Sequence, residues 1–83
     1  MNIQKKTEIL QKAAEHREAE VLHHQINIDN YRLALEEIGA NHAGDDDMLA
    51  FAEQLRQLLA SSIREQTKEK ILLKVIKQQL EKV

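Results

Sequence analysis

The chain has 83 residues, no cysteine, no proline, two glycines, 31 % charged residues, 2 % aromatics and a net charge of −2. That length gives one domain with a thin core and leaves no material for a second. The absence of cysteine excludes disulfides and thiolate metal sites, and no apolar run approaches the roughly 18 residues of a membrane span.

The N-terminal stretch MNIQKKTEIL lacks the apolar core of a secretory signal, so a cytoplasmic protein with no membrane partner is expected. From Ile3 an apolar repeat with alternating steps of four and three begins. It reads Ile3, Thr7, Leu10, Ala14, Arg17, Val21, His24, Ile28, Tyr31, Leu35 and Ile38. This is the seam of a coiled-coil helix, and it predicts a first helix from about residue 3 to 38.

The only stop and start signals lie between Glu36 and Asp45. Gly39 stands just past the last periodic residue, where a left-handed capping residue is wanted. A loop over about 39–45 is therefore expected, with Asp45 or Asp46 as N-cap of the next helix. The other aspartates then occupy its first turn, where the helix dipole favours negative charge. Calcium would want oxygen ligands at alternating loop positions, and this run lacks them.

The repeat resumes as Met48, Ala52, Leu55, Leu59, Ser62, Gln66, Glu69, Leu73, Ile76, Leu80 and Val83. It predicts a second helix from about 46 to 82. Each rod would be about 50–55 Å long at 1.5 Å per residue. So short a loop makes the rods fold back on one another, and the expected fold is an all-α antiparallel hairpin. Two registers suit the seam. With flush ends, Ile3 faces Val83, Leu10 faces Ile76, Ile28 faces Leu59 and Ile38 faces Met48. A half-heptad slip pairs Leu35 with Met48 and Leu10 with Leu73.

The middle of the seam is polar: Arg17, His24, Ser62, Gln66 and Glu69. The flush register sets Arg17 opposite Glu69 and His24 opposite Ser62. The slipped one sets Arg17 opposite Gln66. Either way polar residues meet each other and form a layer that specifies pairing at some cost in stability.

A second apolar stripe lies outside the seam. Ala19, Leu22, Ile26 and Leu33 carry it on the first helix, with Ile9 nearby. Leu49, Phe51, Leu58, Ile63, Ile71, Leu72 and Val75 flank the seam of the second. A lone hairpin leaves this surface in water, which predicts a homodimer in the form of a four-helix bundle. A different protein partner taking the same stripe is the competing arrangement. The bundle is similar to Rop-type hairpin dimers in helix length class and heptad seam. No sequence motif is shared with them, so no binding residue is carried over.

Charge is sorted along the rod. Residues 1–12 with 68–83 hold eight lysines against three glutamates, a net of +5. The rest holds four arginines against eleven acids, a net of −7. Folding back gathers Lys5, Lys6, Lys12, Lys70, Lys74 and Lys77 at the open end. They form a candidate anion-binding surface, without arginine or aromatics for reading bases. Dipole complementation accounts for the lysines of the second helix, though not for Lys5 and Lys6.

No catalytic constellation or cofactor motif is visible, so the protein is not expected to be an enzyme. His16 and His23 stand two turns apart, too far to chelate one ion, and no metal site is expected. The expected role is a non-catalytic protein–protein interaction module: an adaptor, inhibitor or regulatory protein of the phage- or plasmid-type accessory class. The alternative is a Rop-like nucleic-acid binder using the lysine end.

Overall fold

The computed structural model describes residues 2–83 and consists of two helices, α1 (Ile3–Asn41) and α2 (Asp46–Glu81), folded back into a hairpin. The rod measures 63 × 15 × 14 Å. No proline interrupts either backbone ladder, so 39 and 36 residues run without a kink-forming residue. Among the described residues no helix is long and apolar enough to cross a membrane.

Both helix starts are capped as the residue types require. Asn2 accepts a 2.7 Å bond from the Lys5 amide. Asp45 accepts from the amides of Asp47 and Met48 at 2.9 and 3.4 Å. Asp46 and Asp47 lie in the first turn, where exposed N–H groups favour negative charge.

The end of α1 departs from expectation. The helix runs through Gly39 to Asn41, and the loop shrinks to residues 42–45. Neither glycine has a positive φ, so Gly39 is a helical residue and not a left-handed cap. His42 closes the helix instead, its amide donating to the Ile38 carbonyl at 2.8 Å. Asn41 donates to Glu37 at 2.8 Å, one turn back, which helps carry the last turn past the glycine.

The register is flush. Arg17 lies against Glu69, and Ile38 packs in one cluster with Ala52, Leu55 and Met48. Among the described residues the buried apolar side chains are few: Ala14, Ile28, Ile38, Ala52 and Leu55. A two-helix rod can shield only the seam itself, and most seam residues remain half-buried.

Candidate functional site

The polar layer is built from long side chains that reach across the seam. The Arg17 guanidinium donates to both carboxylate oxygens of Glu69, at 3.1 and 2.9 Å. The two side chains are 34 % and 17 % exposed, so this pair is shielded from water on the seam side only. Among the described residues Gln66 is the one buried polar residue, 7 % exposed. Its amide donates to the Val21 carbonyl at 3.1 Å and to Gln25 Oε1 at 2.9 Å. Gln25 in turn donates to Asp29 at 2.9 Å.

Not every expected member of the layer pairs with another. Gln66 finds its partners off the seam, in Gln25 and the α1 backbone. Gln25 was therefore hidden from a reading of seam positions, although it follows the seam residue His24 directly. His24 and Ser62 are both half-buried. No buried side-chain nitrogen or oxygen lacks a partner among the described residues, so nothing in the layer is left unsatisfied in a dry place. His24 meets the ring of His23 edge-on at 5.7 Å.

The large apolar residues of the second stripe are all exposed, from Ile63 at 39 % to Leu33 at 62 %. They do not share one face. At about 100° per residue, Leu22, Ile26 and Leu33 fall on the back of α1, away from the seam. Phe51, Leu58, Leu72 and Val75 run along one flank of α2, and Ile63 lies on the other flank with Leu49. The single stripe read from the sequence is thus three separate surfaces.

The lysine end divides as well. Lys70, Lys74 and Lys77 line one shallow groove of about 430 Å³ with Leu73, Gln78 and Glu81. Lys5 lies in a second groove of about 270 Å³ with Asn2, Gln4 and Glu8. Lys6 and Lys12 line neither. Lys77 also comes within 3.5 Å of Glu18 on α1, a cross-helix partner that the lysine count alone does not reveal. Glu81 and Glu18 dilute the positive charge of the first groove, and phosphate contacts there would be sensitive to salt.

One carboxylate has a displaced titration. Lys68, hydrogen-bonded at 2.9 Å one turn away, holds Glu65 below the usual range for a glutamate. Both side chains are exposed, so the pair shapes local charge more than stability. Among the described residues no group of three or more His, Asp or Glu side chains is placed to hold a metal ion.

No protein family, curated protein or solved structure matches the chain.

Proposed function

We propose that the chain is a non-catalytic protein–protein interaction module, in which two hairpins pair into a four-helix bundle. The bundle acts as an adaptor, inhibitor or regulatory subunit for a further protein. The observation that carries this reading is the apolar surface left in water. Phe51, Leu58, Leu72 and Val75 are each more than two-fifths exposed, while only five apolar residues among those described are buried. Burying such side chains is worth about 1.5–3 kcal/mol each when complete. A monomer forgoes that gain along most of its length, and a second hairpin recovers it. A reducing, cytoplasmic setting suits a chain without cysteine.

Sedimentation equilibrium across micromolar concentrations tests the pairing. The expected species has twice the 9.6 kDa chain mass. A 9.6 kDa species throughout removes the bundle.

A second reading rests on the groove lined by Lys70, Lys74 and Lys77. It makes the protein a nucleic-acid binder that holds phosphates without reading bases. Titration of RNA and duplex DNA at low salt, with wild type and with Lys5, Lys6, Lys74 and Lys77 changed to Glu, separates the two. Absence of binding by the wild type retires this second reading.

A further inference from the structure

A second copy could lie against this hairpin with loops together or with loops at opposite ends. We propose the latter, head to tail, on the flank of α2 that carries Phe51, Leu58, Leu72 and Val75. This rests on the pairing of hairpins proposed above and fixes its geometry.

The flank is chosen by extent. Its apolar residues reach from Phe51 to Val75, most of the length of α2, and all are exposed, with the ion-paired Glu65 and Lys68 between Leu58 and Leu72. The same side of α1 presents Ala13 and Ala34 at its two ends, whose small side chains let another helix approach closely, with Glu20 and Asn27 between them; all four are half-buried. The apolar back of α1 is shorter, covering only Leu22 to Leu33.

The direction is chosen by charge. At about 100° per residue, Lys6 and Lys82 share this flank at the open end, and Glu37 and Asp47 share it at the loop end. All four are exposed. The midpoint of α2 lies between residues 63 and 64. Reversing the second rod about that point brings Phe51 of one copy level with Val75 of the other. It sets Leu58 within one turn of Leu72, and Asp47 close to the level of Lys82. Loops-together packing instead sets Asp47 beside Asp47 and Lys82 beside Lys82. Like charges brought together suppress the wrong arrangement, while the apolar flank supplies affinity in the right one.

Because the chain has no cysteine, single-cysteine variants carry a spin label at one place only. Ala43→Cys marks the loop and Gln78→Cys marks the open end; both sites are exposed. Head-to-tail pairing predicts a 43–43 distance near the 63 Å rod length. A mixture of the two labelled variants gains a short distance, within about three helix diameters or 30 Å. A short 43–43 distance in a sample that sediments as a dimer overturns the orientation and leaves the pairing intact. A monomer by sedimentation overturns both.

The flank has its own test. Phe51→Glu is expected to weaken the dimer by roughly tenfold or more, because it buries an unpaired carboxylate. Leu33→Glu, on the back of α1, leaves the dimer unchanged. Helical content by circular dichroism confirms that each variant remains folded. The reverse result moves the interface to α1 and overturns the choice of flank.

Discussion

The two halves of this rod carry the same heptad pattern and pack differently. In the loop half, Ile28, Ile38, Ala52 and Leu55 are buried, with Tyr31, Ala34, Leu35 and Met48 closing around them. In the open half the only buried apolar residue among those described is Ala14, and Leu10, Leu73, Ile76 and Leu80 are half-covered. Ile3, at the extreme end, is 69 % exposed. The loop of four residues holds its end of the two helices close, and the intermediate seam residues there pack around a buried cluster. The open half has intermediate seam residues without such a cluster beneath them. A heptad pattern specifies which residues face the neighbouring helix, and burial still depends on what covers the sides.

The contrast is broken or sharpened first by paired truncations. Leu55→Ala is expected to cost about 2–3 kcal/mol, since it removes a buried side chain from the best-packed cluster. Leu73→Ala is expected to cost about 1 kcal/mol, in proportion to its partial cover. Urea denaturation at matched protein concentration measures both, at a concentration where sedimentation shows a single chain. Equal costs would mean that the open half is as dry as the loop half. Repeating the pair at concentrations that favour association raises the Leu73 cost if a second copy covers that half.

Between the halves lies the Arg17–Glu69 clasp. Breaking a fully buried pair by removing one partner costs about 3–5 kcal/mol, and a surface pair is worth at most about 1 kcal/mol. With Arg17 34 % and Glu69 17 % exposed, the clasp sits between these limits. A double-mutant cycle with Arg17→Met and Glu69→Met is expected to give a coupling of about 1–2 kcal/mol, falling as salt is raised. A coupling near zero means that the middle of the rod is held by the seam alone. The two halves would then be joined without the polar layer having a role in their alignment.

Much of this architecture is legible in the sequence, and the illegible part has physical causes. The alternation of Leu10, Ala14, Val21 and Ile28 with Leu55, Leu59 and Leu73 specifies two helices and one seam between them. Asp45 announces the start of α2 because a short acceptor before an apolar repeat has few other uses. The register was not legible, because both alignments match apolar with apolar. The Arg17–Glu69 contact, in which Nη1 donates to both carboxylate oxygens, distinguishes them, because the flush alignment is the one that sets these two residues opposite each other. Gln66 was legible as a seam residue. Its partners were not, because a side chain of that length can leave the seam and reach Gln25. The apolar stripe was legible as an excess, but whether Leu33 and Phe51 share a face depends on where each lies around its own helix.

Gly39 offers the smallest effect and the least ambiguous sign. A glycine at a left-handed cap resists replacement, because a Cβ is strained at positive φ. Gly39 is instead a helical residue, and a Cβ placed on it meets nothing within 4 Å. Alanine there narrows the unfolded ensemble and improves helix propensity without a clash. Gly39→Ala is therefore expected to stabilise the hairpin by about 0.5–1 kcal/mol, read as a higher urea midpoint with an unchanged slope. Loss of stability would restore Gly39 as the cap and shorten α1. Because Gly39 directly follows the buried Ile38, the gain should appear as slower amide exchange around Ile38 and Leu55, while the amides near Leu10 and Leu80 stay as they were. Equal slowing along the whole rod would show that the two halves open as one unit, despite the difference in their packing.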